Sequence, residues 1–525
     1  MALQTGASSL HWVLVLLVSH AGFSPKMLSV EGAIHGYKGQ PFTHMGNAYV
    51  FKGGREGLFA STNQAQSGFH AVNKKVSDGT SYIRLANMEF LRPWSVANHF
   101  RMLDGQTGLV EALVFEVGER DLVGHVGDDG ERQLCCSRDL AAQLKCTPNR
   151  IIVKKHANAK KNTPWLSEIH FDGNLTSAFA PATAVLPITE TGMFHLLFVV
   201  CDPELKGIRA EGHSTWKNPH GFLPGMMVGN LRFYGYMSLA MLCLAFAWLV
   251  LYCYHWRDII PLQHCISILI ALCMTEASIW YFDYVNFNTT GFRPHLTTLW
   301  AVLLGSLRKC LARIVILVVS MGYGVVRPTL GGLTKTVWAM GLAYFAAVSM
   351  LDMVTHVGTI DDLPSMVRLF LVMPVSVLDA VFILWIFTAL SRTLTQLGAR
   401  RKEVKLNLYR KFTNTLAIAV WVSVLFTAYE MYLKVRDSTH TEKWQMYWVA
   451  DAFWQVLNFC VLCIICVLWR PSKNSQCYSY TEADADIDIE EVGLVDVDPS
   501  GESFPKANTD VFSIAEDDEE ESKMA

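Results

Sequence analysis

Three cationic side chains fall inside an apolar stretch that is long enough to cross a lipid bilayer. The stretch runs from Leu299 to Gly332 and carries Arg308, Lys309 and Arg313 near its middle. A transmembrane helix needs about 20 apolar residues, and each charge at its centre costs at least ~2.5 to 3.5 kcal/mol on insertion scales. On a helix the three side chains can all face a bundle interior, because Lys309 and Arg313 lie one turn apart and Arg308 lies about 100° from Lys309. The sequence therefore predicts surrounding helices that bring acidic side chains, water or an anionic ligand.

Acidic residues inside other apolar stretches are the candidate partners of these cations. At about 1.5 Å per residue, Asp379 lies at the level of Arg308 and Lys309, so we expect an ion pair between Asp379 and one of the two. Further acidic residues fall toward the predicted lumenal ends of their spans, where they would form the walls of a vestibule with a basic floor: Glu276, Asp283, Asp352, Glu430 and Asp451. Such a cavity could hold a lipid headgroup or another anion, or pass ions. The alternative is that these charges form structural ion pairs or helix ends at the headgroups.

The rest of the chain has the composition of a membrane protein with a soluble part, since 51% of its 525 residues are hydrophobic and 17% are charged. An apolar run, Leu10 to Val18, is followed by the small residues Ser19 and Ala21, which predicts a secretory signal peptide over residues 1–21. Seven long apolar segments predict a seven-helix transmembrane bundle within residues 229–470: 233–256, 259–284, 297–324, 336–356, 367–390, 412–434 and 446–469.

Residues 22–228 predict a lumenal β-sandwich domain, so the fold class is an α+β membrane protein. Apolar and β-branched runs recur there between Gly, Asp and Asn turn signals. The domain contains Cys135, Cys136, Cys146 and Cys201, which predict two disulfides. Three pairings are possible, and the pairing of the adjacent Cys135 and Cys136 is the least favoured because it strains the backbone. The sequons at Asn174 and Asn288 predict glycosylation and lumenal exposure.

The distribution of charge predicts a lumenal amino terminus and a cytosolic carboxyl terminus. Basic residues concentrate in the loops that would be cytosolic, above all in a loop with Arg400, Arg401, Lys402 and Lys405. This loop could contact anionic lipids or partner proteins, or serve only to set the topology.

An acidic tail, residues 471–525, follows the last apolar segment. Between residues 481 and 525 it has 16 Asp or Glu against two Lys, and this composition predicts a disordered cytosolic segment. Ser513 precedes six consecutive acidic residues, which resembles an acidic-cluster sorting signal with a phosphorylatable serine. A plain solubilising tail is the alternative.

The signatures of common enzyme classes are missing from the sequence, including GxSxG, HExxH, P-loop, kinase and dinucleotide-binding motifs. We therefore expect a protein that is not an enzyme and that has no cofactor, no metal site and no nucleic-acid partner. Membrane lipids, trafficking machinery or a membrane cargo are the expected partners.

Several stretches resemble the transmembrane protein 87 branch of the seven-transmembrane proteins that carry a lumenal Golgi-dynamics (GOLD) type domain, also called lung seven-transmembrane receptors. The resemblance covers residues 30–471, and the matching stretches are Gly192–Pro203, Trp216–Gly225, Trp280–Tyr284, Ser320–Pro328 and Trp469–Pro471. It implies a GOLD-like β-sandwich above a seven-helix bundle with a large lipid-accessible cavity, located in Golgi and endosomal membranes.

The resemblance further implies a role in retrograde traffic from endosomes to the Golgi, through binding of a lipid or membrane cargo. Two alternatives stay open at this point. One is a cation channel or pH-responsive conductance through the bundle, and the other is an orphan receptor that signals through the basic loop.

Overall fold

The structure, a computed structural model, describes residues 33–62, 78–85, 87–102, 108–127, 132–144, 146–154, 162–173, 175–323, 332–356, 365–400, 403–436 and 444–471. Several predicted features lie outside these residues: the signal peptide over 1–21, Asn174, Arg401, Lys402, and the tail beyond Pro471 with Ser513. They stay predictions.

The amino-terminal part is a sandwich of two antiparallel sheets. The strands that the structure describes are β1 (Ile34–Pro41), β2 (Thr43–Met45), β3 (Ala48–Leu58), β4 (Tyr82–Arg84), β5 (Glu89–Leu91), β6 (Leu109–Glu116), β7 (His125–Val126), β8 (Arg132–Gln133), β9 (Trp165–His170), β10 (Ser177–Phe179), β11 (Val185–Pro187), β12 (Gly192–Val200) and β13 (Arg209–Lys217). The first sheet has the order β10-β5-β13-β4-β11, with β1 also paired to β13, and the second has the order β2-β3-β12-β6-β9, while β7 and β8 pair separately. Among the described residues, two short α-helices lie between strands, α1 (Trp94–Met102) and α2 (Arg138–Leu144).

The core of the sandwich lies between the sheets, and a second apolar cluster covers the outer face of the second sheet. Trp216, Phe198 and Phe90 are fully buried in the first cluster. Strand β12 is apolar at nearly every position because its two faces belong to the two clusters. The sequence-predicted runs around Tyr82, Leu109 and Phe194 are therefore strands of one sandwich.

Two disulfides hold in place the segment that contributes to the second apolar cluster, on the outer face of the second sheet. Cys135 bonds Cys201 at the end of β12, and Cys136 bonds Cys146. The structure thus selects one of the three possible pairings and excludes the bond between the adjacent cysteines. Cys135 reaches across to the sheet, while Cys136 closes a local loop that contains α2.

Seven long helices follow the sandwich. They are α3 (Val228–Tyr254), α4 (Pro261–Thr290), α5 (His295–Ser320), α6 (Leu333–His356), α7 (Ser365–Ala399), α8 (Glu403–Arg436) and α9 (Trp448–Leu468). By length and composition, α3, α4, α6, α7, α8 and α9 are apolar enough to cross a membrane. Helix α5, with 26 residues, has a comparable length but includes the three cations.

Part of the predicted basic loop is helical, which corrects the sequence interpretation at Lys405. Helix α7 continues to Ala399 and α8 begins at Glu403, so Lys405 lies on α8 with a buried side chain. Both helices extend beyond their apolar segments because Lys, Arg, Gln and Leu favour helices, and hydropathy does not record this preference.

Trp444 and Asn288 contribute to the contact between the sandwich and the helical part. The Trp444 ring packs against Gly57 of β3 and against Gly225, and a Cβ at either glycine would overlap it. Asn288, near the end of α4, accepts a hydrogen bond from Leu223 N–H at 3.1 Å and donates one to the His220 carbonyl at 3.0 Å. We call this region the joint.

The joint gives Asn288 a structural role in place of the expected glycan. Its side chain is half-buried, and both of its polar atoms bind the backbone between β13 and α3. A sugar on Nδ2 would have to fit between Asn288 and His220, so the geometry disfavours glycosylation at this sequon.

We predict that Asn288 carries no glycan. Asn288→Gln and Thr290→Ala both destroy the sequon, but only Asn288→Gln removes the hydrogen bonds of the joint. Neither change should alter the electrophoretic mobility before or after endoglycosidase treatment, and only Asn288→Gln should lower the melting temperature of the purified protein. A glycan at this position would instead give both variants the same faster mobility.

Candidate ligand-binding site between the membrane helices

Helix α5 contributes all three cations, and each is paired with a carboxylate on a different neighbouring helix. The three positions spread over about 140° of the α5 surface at 100° per residue. Two glycines allow the close approach of these neighbours. A Cβ at Gly305 would lie 2.9 Å from Glu276 Oε1 on α4, and one at Gly341 of α6 would lie 2.5 Å from Ile314 Cδ1.

Arg308 forms the most buried pair, with Glu276 of α4. The side chains of Arg308 and Glu276 are 7% and 6% exposed. Arg308 donates to Glu276 through Nε and, at 3.3 Å, through Nη2. The same Nη2 lies 3.5 Å from Gln455 Oε1 on α9, at the limit of hydrogen bonding. Two hydrogen bonds to one carboxylate compensate the buried charge of Arg308.

Lys309 pairs with Asp352 of α6. Its Nζ lies 2.8 Å and 3.0 Å from the two carboxylate oxygens, and Ser306 also donates to Asp352 at 3.1 Å. This pair is less buried than that of Arg308, because the Lys309 side chain is 35% exposed.

Arg313 pairs with Asp379 of α7, and this finding corrects the expected partner of Asp379. Nε of Arg313 lies 2.6 Å from Asp379 Oδ1, and the guanidinium lies over the Tyr344 ring at 4.6 Å. The expectation compared the depths of Cα atoms, whereas helical side chains lean toward the amino terminus of their helix. Arg313 Nη1 accordingly lies 3.4 Å from the carbonyl of Lys309, one turn earlier, which brings its charge to the level of Asp379.

The predicted vestibule, with acidic walls above a basic floor, is not what the structure contains. Glu276, Asp352 and Asp379 each bind a cation directly. Glu430 lies half-buried on α8 and Asp451 lies exposed in the first turn of α9, outside these three pairs. The expectation placed Glu276, Asp283, Asp352, Glu430 and Asp451 around one vestibule, because the sequence gives the depth of each acid but not the direction in which its helix faces.

A fourth pair lies nearer the sandwich. Asp283 of α4 accepts a hydrogen bond from Arg293 Nε at 2.9 Å and from Thr298 at 3.2 Å. The Arg293 guanidinium also lies 5.4 Å from the Trp280 ring and 5.6 Å from the Tyr284 ring. This pair joins α4 to the start of α5 and has the structural role that the sequence left open for Asp283.

A cavity of about 80 Å³ lies beside Arg308, between α3, α4, α5 and α9. Its polar end is formed by Tyr234, Glu276, Arg308, Gln455 and Asn458, and the rest of its wall is apolar. This volume has room for only a few water molecules, so the cavity is smaller than the large cavity that the resemblance implies. Met237, Met241, Ile316 and Leu462 line it and occupy part of the space between the helices.

Gln455 and Asn458 are site residues that the sequence analysis did not select. They lie three residues apart on α9, which puts them on one face of an apolar helix, and both line the cavity. Two amides at this spacing inside a span are a signal that a search for charged residues alone does not detect.

Comparison with known proteins gives the same architecture for the helical region. Residues 229–476 match the family GOST, seven transmembrane domain. Transmembrane protein 87A of Xenopus tropicalis is 34% identical over 285 residues, which is 54% of this chain and 52% of that protein. Transmembrane protein 87B of Mus musculus is 33% identical over 320 residues, 59% of this chain and 56% of that protein. The chain spans about half the length of these curated relatives.

We predict that breaking the pair of Arg308 and Glu276 destabilises the protein. Replacing both residues with apolar ones should leave it folded. Glu276→Gln leaves the guanidinium buried without a charged partner and should lower the free energy of unfolding by about 3 to 5 kcal/mol. Combining Glu276→Met with Arg308→Met removes both charges and should restore most of that loss. Thermal unfolding in detergent measures both effects.

The matched control is Asp352→Asn, which breaks the partly exposed pair of Lys309 and should cost clearly less. If Glu276→Gln were no more destabilising than Asp352→Asn, the burial of the Arg308 pair would have no energetic consequence.

Proposed function

We propose that the protein binds an amphipathic lipid beside Arg308 and acts in retrograde membrane traffic from endosomes to the Golgi. The proposal starts from the similarity of the helical region to the GOST seven-transmembrane domain and to transmembrane proteins 87A and 87B. The lipid would place its polar group at Arg308 and part of a chain between the apolar walls. One observation carries this proposal: the guanidinium of Arg308 forms a buried ion pair and also lines a largely apolar cavity.

The chemistry of the cavity fits such a ligand at its polar end. A guanidinium has five N–H donors, and the bonds to Glu276 and Gln455 use Nε and Nη2. Among the described residues, the cavity thus leaves Nη1 of Arg308 for an oxygen of a phosphate or carboxylate. Gln455 and Asn458 add amide groups that can donate or accept beside it.

The apolar part of the cavity fits a hydrocarbon chain. Its walls come from side chains of α3, α4, α5 and α9, among them Met237, Met241, Ile266 and Val461. Methionine side chains adapt to irregular shapes, so the present volume can enlarge around a chain. A second, smaller cavity of about 10 Å³ shares Ile266, Val315, Ile316 and Ile465 with the first and extends it toward Trp469 at the end of α9.

Binding is tested with the double variant Glu276→Met, Arg308→Met, which should fold. The purified full chain is reconstituted in nanodiscs of mixed phospholipids, and native mass spectrometry measures the lipid that remains bound after release from the disc. We expect at least a tenfold loss of retained lipid in this variant. The control Lys309→Gln, Asp352→Asn removes a pair outside the cavity and should retain lipid normally. Equal retention by both double variants would contradict the proposal.

The trafficking role is tested in cells that lack the protein. A reporter membrane protein is labelled at the cell surface, and its arrival at the Golgi is timed. We expect slower arrival without the protein, recovery with the unmodified chain, and no recovery with Glu276→Met, Arg308→Met. Normal arrival in the deficient cells would refute this role while leaving lipid binding intact.

Ion conduction is the competing hypothesis, and the partial exposure of two pairs favours it. The side chains of Lys309, Arg313 and Asp379 are each about one-third exposed, so a polar route could pass beside them. Cation flux in proteoliposomes that contain only the purified chain, reduced by Asp379→Asn, would support conduction over lipid binding.

A further inference from the structure

Two cysteines lie at the end of the α3–α4 hairpin that is remote from the sandwich. Cys253 is the last residue but one of α3, and Cys265 is the fifth residue of α4. Both thiols are free and exposed. Asn288 of the joint lies at the other end of α4, so both cysteines lie on the opposite side of the bundle from the sandwich.

The two thiols lie on the same outer face of the hairpin. Two hydrogen bonds define the seam between the helices: Tyr252 Oη lies 2.7 Å from His264 Nδ1, and Trp248 Nε1 donates to Ser267 at 2.8 Å. Each cysteine follows a seam residue by one position, so each lies about 100° from the seam. Because α3 and α4 are antiparallel, equal rotations from the seam lead to the same face of the pair.

The neighbouring residues place this end of the hairpin at the membrane surface. Tyr254 and Trp256 are 73% and 66% exposed, and the Arg257 guanidinium lies 5.4 Å from the Trp256 ring. Exposed aromatic and basic residues at a helix end are typical of the headgroup layer. The helix ends on this side also have basic residues that the sequence analysis assigned to the cytosol, including Arg400 and Lys405.

An exposed apolar track leads from the cysteines toward the middle of the membrane. On α3, Leu249 and Val250 lie one turn above Cys253, and on α4, Ile268 lies one turn above Cys265. A hydrocarbon chain on either sulfur could lie along this track. The thiols thus combine access from the surface with an apolar path into the bilayer.

A metal site is the other chemistry that these residue types suggest, since His255 lies two residues after Cys253 and His264 directly precedes Cys265. The structure does not assemble it. His255 Nδ1 bonds the Leu251 carbonyl at 3.2 Å, and His264 Nδ1 bonds Tyr252. Among the described residues, no three His, Cys, Asp or Glu side chains converge as metal ligands.

We propose that Cys253 and Cys265 form a paired S-acylation site, modified by a membrane acyltransferase that uses a long-chain acyl-coenzyme A. Each sulfur forms a new bond to the acyl carbonyl carbon, the bond from that carbon to the sulfur of coenzyme A breaks, and the thiol proton goes to the coenzyme A sulfur. Nothing is oxidised or reduced. A thioester at a juxtamembrane cysteine is reversible, so the modification can be regulated. Two chains anchor the hairpin more strongly than one, since each buried methylene contributes to membrane affinity.

The test uses the full chain expressed in animal cells, with Cys477→Ser in every variant because Cys477 follows the last helix. Free thiols are blocked, thioesters are cleaved with hydroxylamine, and the released thiols are tagged with a polyethylene glycol maleimide. We expect two hydroxylamine-dependent mass steps in the parent, one in Cys253→Ser, one in Cys265→Ser, and none when both are changed.

Cys243→Ser is the matched control. Cys243 is also free and exposed on α3, but it lies about 15 Å further into the membrane than Cys253, so this variant should keep both steps. The proposal is overturned if the parent gives no hydroxylamine-dependent step, if a step survives the double substitution, or if only one of the two cysteines gives a step.

Discussion

A cation inside hydrocarbon has to be matched by a nearby carboxylate, and this requirement organises the helices around α5. Arg308, Lys309 and Arg313 face three different neighbours, so α4, α6 and α7 are each held to α5 by one charge pair. The attraction between unit charges is much stronger in the bilayer interior than in water. Lipid tails are as apolar as the helix surfaces, so packing and polar contacts must provide the specificity that hydrophobic burial gives a soluble protein. The three pairs therefore contribute to the specificity with which α4, α6 and α7 pack against α5.

The three ion pairs differ in burial, and this difference distinguishes the pair that borders the cavity from the two that do not. Arg308 and Glu276 are almost fully enclosed and border the cavity, whereas Lys309 and Arg313 are partly accessible and lie outside its wall. A buried pair is weak evidence for stability, because apolar residues of similar size often replace it without loss. The position of Arg308 and Glu276 beside a largely apolar cavity is the observation that supports the proposed recognition of a polar group that enters with a hydrocarbon chain.

The sequence predicted the elements of the fold better than the contacts between them. Seven apolar segments became seven helices, and the need for partners followed from three charges on one span. The partner of Asp379 could not be derived in the same way, because it depends on how long side chains lean and on how each helix is rotated. The ends of α7 and α8 were also missed, since hydropathy records where a chain enters the membrane and not where its helix stops. Gln455 and Asn458 are uncharged, so their place in the cavity became evident only from the packing of α9.

The contact of Trp444 with Gly57 and Gly225 has a consequence for biosynthesis. Gly57 and Gly225 are synthesised before the membrane helices. Trp444, whose ring fills the space between them, is synthesised only just before the last helix, α9. The sandwich can form its own disulfides and core while the ribosome is still producing the later spans. The contact between the sandwich and the bundle stays incomplete until Trp444 has been synthesised, so a chain truncated before Trp444 has an unfilled, glycine-lined notch at this contact.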